Sequence, residues 1–458
     1  MKRILAIAGL TWKSAFRYKL FWILAALLLS AVVGLPLLLK DDGTAKGLVQ
    51  ILLTYTLGAV ASLLGIATLW LACGTMARDV EECQMQMVTV KPISRWQVWI
   101  GKWLGILGLN AMLLALAGAS VFILLQWRSS HLPADEQKIL HNEIFVARAS
   151  IKEPPRDLRP QIEMALKEQI KKLHPDDSQL PELRRQITEQ IRAIDTDVPP
   201  QFRRTWLIDL HTLSRKTKES PFRARVKFHT ANPNSEATYA TLWRIGPAES
   251  QNPAWIQEVL PPDSFQEFEV PAHMLDEKDR LDVELYNGND ISLMFPIEDG
   301  FELLYYENTF GVNFIRGLMI IFCWLALLAA IGLAAASYLS FPVAAFASMA
   351  ILLMGLSSST IQSVVEQGTI VGYDSASGGY GHSPVDIFLV PVFRGLFKII
   401  QLVESFSPID FLSTGRSITW GMLGLAVAQI VVFLGGFFCA VGILLFSRRE
   451  LATAQGNT

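Results

Sequence analysis

Residues 317–365 read GLMIIFCWLALLAAIGLAAASYLSFPVAAFASMAILLMGLSSSTIQSVV, 49 residues without one Asp, Glu, Lys or Arg. A hydrocarbon core about 30 Å thick is crossed by ~20 apolar helical residues, so this run is too long for one crossing. Near its middle stands Tyr338-Leu339-Ser340-Phe341-Pro342. Proline lacks a backbone donor and sits best in a first helical turn, so the run reads as two spans, about 317–337 and 342–362, joined by a tight hairpin.

Outward from there, four more runs are free of charge: 20–39, 47–77, 103–127 and 417–447. They predict spans at about 20–39, 49–75, 103–126 and 420–446, which makes six. The 458-residue chain is 18% charged with a mean hydropathy of +0.33, whereas a soluble domain carries about 25% charge. The average conceals two materials. Residues 128–310 hold 23 basic and 31 acidic residues, net −8, and the charges of the remainder cluster beside the spans. Lys+Arg 40 against Asp+Glu 42 disfavours a nucleic-acid binder. Four cysteines exclude a disulfide-rich scaffold, and the apolar content excludes a disordered chain.

Basic residues near span ends mark the cytoplasmic side. Lys2, Arg3, Lys13, Arg17 and Lys19 precede the first span; Arg78, Lys91, Arg95 and Lys102 lie between the second and third; Arg448 and Arg449 follow the last. Six spans put all three groups on one side, so both termini are expected in the cytoplasm of an inner-membrane protein and the acidic segment outside. Residues 1–19 carry Leu5, Ala8, Trp12 and Phe16 at helical spacing, with Lys13 and Arg17 elsewhere on the wheel, which suits a helix in the cytoplasmic interface.

The expected fold is an α-helical polytopic membrane protein with a large α+β extracytoplasmic domain inserted between spans three and four. An interfacial helix occupies 1–19. Spans one to three occupy 20–127, with a cytoplasmic loop at 76–102. The domain at 128–310 is helical over 128–215, where Ile162, Leu166, Ile170 and Leu173 recur at helical period, as do Leu183, Ile187, Ile191 and Ile194. Over 222–307 it resembles a β-sandwich, because Val226 and Phe228, then Leu281, Val283 and Leu285, then Phe301, Leu303 and Tyr305 alternate with polar residues. Spans four and five follow at 311–365, and an outer loop at 366–416. The loop's apolar stretch 386–406 holds Pro391, Arg394, Lys398 and Glu404 and reads as a re-entrant or interfacial helix. Span six lies at 417–447, and 448–458 is a cytoplasmic tail.

The seven histidines are scattered without metal-ligand spacing, so no metal site is expected. The chain lacks GxxxxGK[ST], GxSxG and HExxH, so neither ATP hydrolysis nor another catalytic activity is expected of it. Its spans are nearly free of ionisable residues, which argues against ion-coupled transport.

The loop reads RDVEECQMQMVTVKPISRWQVWIGK over 78–102. Pro92 ends one helix, and Ser94 can cap a second that carries Arg95, Gly101 and Lys102 into the membrane. This loop resembles that of the membrane subunit of ABC-2 type (type V) ABC exporters. Members share an acid, then Gly-Thr-Leu, a Pro-Val-Ser-Arg-like element, and Gly-Lys at the next span. Glu81 matches the acid, while Pro92-Ile93-Ser94-Arg95 and Gly101-Lys102 match the later elements; Cys83, Gln84 and Met85 depart from Gly-Thr-Leu. The resemblance covers about 1–127 and 311–450. It implies a permease whose chains pair, as a homodimer or heterodimer, to form the translocation path in the lipid bilayer. ATP and Mg would be bound by a separate ABC ATPase subunit. That subunit would contact Arg78, Glu81, Glu82, Pro92, Arg95 and Lys102, together with an elbow-like helix carrying Trp12, Lys13, Phe16 and Arg17. A periplasmic protein is a candidate partner of the outer segment. The alternative is a membrane-anchored binding or sensor protein that acts through 128–310.

Overall fold

The computed structural model describes the chain apart from residues 1, 18–19, 39–43, 82–92, 141–144, 155, 174–179, 212, 214–220, 231–236, 248–251, 272–273, 276–278, 298, 368, 371–372, 375–378, 381–384 and 450–458. In chain order the helices are α1 (Lys2–Arg17), α2 (Leu20–Leu38), α3 (Ala45–Glu81), α4 (Arg95–Ser129), α5 (Ala134–Ile139), α6 (Arg159–Leu173), α7 (Leu180–Thr196), α8 (Phe310–Ala336), α9 (Phe341–Leu356), α10 (Ser358–Gln367), α11 (Asp386–Glu404), α12 (Pro408–Ser413), α13 (Trp420–Ala426) and α14 (Gly436–Arg448). A π-helix, Val427–Gly435, joins α13 to α14 in one continuous helical element. The chain divides into two compact units: residues 1–147 with 309–458, and residues 148–308.

The first unit is helical. Four of its helices are long and apolar enough to cross a membrane: Gly47–Glu81, Arg95–Ser129, Phe310–Ala336 and Trp420–Arg448. α1 and α2 together make a fifth candidate, bent by 66°. Small residues set the packing. A Cβ at Gly332 would lie 2.8 Å from the Ala72 Cβ, and one at Gly442 would lie 2.7 Å from the Trp99 Nε1. These approaches bring α8 against α3, and α14 against α4, closer than larger residues allow.

Two span boundaries differ from the expectation. α8 starts at Phe310, seven residues before 317, because Arg316 does not end the helix: it is buried, and its Nη1 donates to the Ile418 carbonyl at 2.8 Å. The stretch expected as one span at 342–362 is a 16-residue helix, α9, that breaks at Ser357 before α10 begins. Sixteen residues rise about 24 Å, short of the apolar core.

The second unit is built on two four-stranded sheets. Its strands are β1 (Val146–Ile151), β2 (Asp197–Val198), β3 (Arg203–Asp209), β4 (Phe222–Val226), β5 (His229–Thr230), β6 (Tyr239–Ile245), β7 (Ala254–Leu260), β8 (Gln266–Val270), β9 (Arg280–Tyr286), β10 (Leu293–Met294) and β11 (Phe301–Thr309). One sheet has the order β1-β11-β4-β8 and the other β3-β9-β6-β7, while β2, β10 and β5 form a small third. The two large sheets share one core. Trp206 of β3 stacks on Phe301 of β11 at 4.9 Å, and Trp243 of β6 meets Phe268 of β8 at 5.1 Å. Alternation aims Leu281, Val283 and Leu285 of β9 inward. β1, β2 and β3 correct the reading of 128–215 as wholly helical. In β3 only Trp206 and Ile208 reach the core while Leu207 points out, so the run RRTWLID carries too few apolar residues to announce itself.

Candidate functional site

One end of the helical unit gathers five helix termini and most of the residues flanking the loop. α3 ends there at Glu81 and α4 begins there, with Ser94 as its N-cap residue and its N–H bonded to the Gln97 side chain. The Arg95 Nη1 donates to the carbonyls of Phe446, Ser447 and Arg449, each at 2.8 Å. Those carbonyls close the last turn of α14, where orphan acceptors need donors and where the helix dipole favours a cation. Arg449 repeats the device one helix on: its Nη1 donates to the carbonyls of Ala336 and Ser337, at the end of α8.

Glu81 does the converse. Its carboxylate accepts the N–H of Phe341 at 3.1 Å, at the start of α9, where negative charge is favoured. Arg78 lies over the Phe341 ring at 5.0 Å, and Trp70 meets the same ring edge-on at 5.1 Å. Lys102 is buried; its Nζ donates to the Asp79 carboxylate at 2.5 Å and to the Thr75 carbonyl at 2.6 Å, which ties α4 to α3. Asp79, Phe341, Phe446 and Arg449 carry this network, and spacing alone did not single them out. Arg449 had a signal, as one of the two cations that stop the last span.

The N-terminal helix lies against the same stretch of α4. A Cβ at Gly101 would stand 2.7 Å from the Ile7 Cβ, one at Gly105 2.7 Å from the Thr11 Cβ, and one at Gly108 2.7 Å from the Trp12 Nε1. The contacts step forward along both helices together, so α1 runs beside α4 in the same direction instead of crossing it once. The Trp12 Nε1 donates to the Gly105 carbonyl at 2.9 Å. Phe16 packs half-buried against the ring of Phe21, 4.5 Å away, and Lys13 is exposed. Glu82 and Pro92 lie outside the described residues, as does the side chain of Arg17.

At the opposite helix ends, other bonds serve the same purpose. Arg128 donates to the Pro36 carbonyl at 2.7 Å, and the Glu136 carboxylate accepts the Ala45 N–H at 2.7 Å. Asn313 donates to the Arg416 carbonyl and accepts the Ile418 N–H, both at 2.7 Å. Midway along the unit, Thr68 of α3 donates to Asn110 of α4 at 3.1 Å. Among the described residues no group of three His, Cys, Asp or Glu could hold a metal ion. Compared with known protein families, curated proteins and solved structures, the chain matches none.

Proposed function

We propose that the chain is the membrane-spanning subunit of an ATP-driven exporter, coupled to a separate ATPase through residues 76–102. The observation that carries this reading is the bonding of Glu81 and Arg95. They flank residues 82–92, and each grips the end of another helix: Glu81 the start of α9, Arg95 the end of α14 and, through Arg449, α8. A force applied to 82–92 reaches α3, α4, α8, α9 and α14 at once. An anchor has no need of such linkage, and a transport subunit driven from outside its own fold does.

In this reading α2, α3, α4, α8, α9 with α10, and the element from α13 to α14 supply six crossings, and α1 is the helix of the cytoplasmic interface. Both termini lie in the cytoplasm, 148–308 lies outside, and two chains form the path. ATP and Mg belong to the partner chain. ATPase closure moves 76–102 and the adjoining α1, and their bonds pass that motion to the spans. The reading is tested with a photoreactive crosslinker on a cysteine at exposed position 78 in inside-out vesicles. Adducts with a P-loop ATPase are expected; adducts with lipid alone overturn it.

A further inference from the structure

Arg316 of α8 is 2% exposed. Its Nη1 donates to the Ile418 carbonyl at 2.8 Å, and its guanidinium lies over the Trp420 ring, 4.6 Å from the centroid. The Nε is buried with no acceptor, and the Nη2 makes no hydrogen bond among the described residues. No described carboxylate comes within ion-pair distance of it. Lys102, buried at the other end of the unit, is different, because Asp79 neutralises it. A neutral carbonyl and a ring face do not replace a counter-charge, and a buried charge without one is costly.

The neighbouring groups show that Arg316 is more than a fastener. Asn313, one turn earlier on α8, uses both ends of its amide, on the Arg416 carbonyl and the Ile418 N–H. Together with one N–H of Arg316 it ties residues 416–418 to α8. Ser417, next to Ile418, is buried too, and its Oγ has no partner among the described residues. The surplus donors are therefore the Arg316 Nε and Nη2 and the Ser417 hydroxyl.

Depth identifies what they take. The uncharged part of α8, 317–336, rises about 30 Å and matches the hydrocarbon core. Arg316 then stands at the core's edge, the level of lipid phosphates. Trp420 is exposed beside it, as aromatic residues are at that level. Ile315 and Met319, flanking Arg316 on α8, are exposed and apolar. A guanidinium fork matches the oxygens of a phosphate, and the apolar ridge beside it suits acyl chains, which a free anion would leave unused.

We propose that Arg316 and Ser417 hold the phosphate of one phospholipid, in the leaflet on the side where α8 begins. The phosphate oxygens accept from the Arg316 Nε and Nη2 and from the Ser417 hydroxyl, and the acyl chains lie along Ile315 and Met319. The Trp420 ring swings aside to admit the headgroup. The inference needs α8 to cross the membrane and does not depend on an ATPase partner.

The test is native mass spectrometry of the full chain in detergent, with phosphatidylglycerol, diacylglycerol of the same acyl chains, and inorganic phosphate as probes. One tightly held phosphatidylglycerol per chain is expected, with no matching site for diacylglycerol. Arg316→Met should weaken it about tenfold or more, and Ser417→Ala about threefold. Arg316→Met also frees the Ile418 carbonyl, so Ser417→Ala is the check that spares the fold. Losing an unpartnered hydroxyl costs the lipid-free chain nothing, so its thermal midpoint without lipid should hold while lipid affinity falls. Three results would each overturn the proposal: equal retention of diacylglycerol, unchanged phosphatidylglycerol affinity in both variants, or displacement of the lipid by inorganic phosphate at about 1 mM, which marks a free-anion site.

Discussion

Replacing Gly105 by alanine should loosen α1 from α4, and the size of the effect follows from the packing. The new Cβ would lie 2.7 Å from the Thr11 Cβ and 3.0 Å from the Ala8 carbonyl oxygen, closer than real Cβ atoms come to their neighbours. The carbonyl is backbone and cannot swing away, so the helices must separate. Overpacking of this kind costs about 1–3 kcal/mol. Stretching the bond from the Trp12 indole to the Gly105 carbonyl adds about 0.5–1.5 kcal/mol. The better helix propensity of alanine returns about 1 kcal/mol. The net is about 0.5–3.5 kcal/mol against docking, or about twofold to 400-fold in the docked-to-undocked ratio.

Gly9, on the opposite face of α1, is the control: a Cβ there meets nothing within 4 Å. Gly9→Ala should stabilise the helix by about 1 kcal/mol. The assay is maleimide labelling of Ala15→Cys, a buried position of α1 itself, with the parent chain giving the baseline from native cysteines. When opening is fast relative to labelling, the rate follows the undocked population. Labelling should speed up in Gly105→Ala and slow in Gly9→Ala. Equal rates in the two variants would refute the packing of α1 on the glycine face of α4.

Arg95→Gln removes a cation that donates to three carbonyls at the end of α14, and should raise amide exchange over 440–449 by about tenfold or more, read by mass spectrometry. Lys102→Met leaves Asp79 without its ammonium partner and should lower the thermal midpoint in detergent; the double variant with Asp79→Asn should recover part of the loss, since a pair couples through its charges. In the outer unit, Arg225 and Glu302 form an ion pair at 3.3 Å with both side chains buried. Glu302→Ala should destabilise that unit by about 3–5 kcal/mol, whereas replacing the pair by Met and Leu should cost far less, measured by thermal unfolding of the full chain.

The long helices were legible because lipid imposes one rule, twenty apolar residues without charge, that composition alone satisfies. The rule misplaced the start of α8 because Arg316 looks like a boundary until Ile418 supplies an acceptor for it. It overestimated the span at 342–362, since nothing in ILLMGLSSST announces the break at Ser357. The π-helical turn at 427–435 leaves no compositional trace in an all-apolar run. Among the strands, β9 was legible from its alternation, and β3 was not, because its inward residues are flanked by two arginines. At the candidate site, charge marked Arg78, Glu81, Arg95 and Lys102 without saying what they hold. Glu81 and Arg95 hold backbone groups of helix ends 260 to 354 residues away, Arg78 lies over the ring of the equally distant Phe341, and Lys102 holds Asp79 and Thr75 of α3; only tertiary folding brings these together.

The coupling claim is tested most directly by purifying the tagged chain from its native host in mild detergent and identifying what accompanies it. A P-loop ATPase is expected in stoichiometric amount, lost when Glu81→Arg and Arg95→Glu are combined in a chain that still inserts and folds. Absence of any ATPase from the purified chain, or its full retention by the double variant, would rule out coupling through residues 76–102.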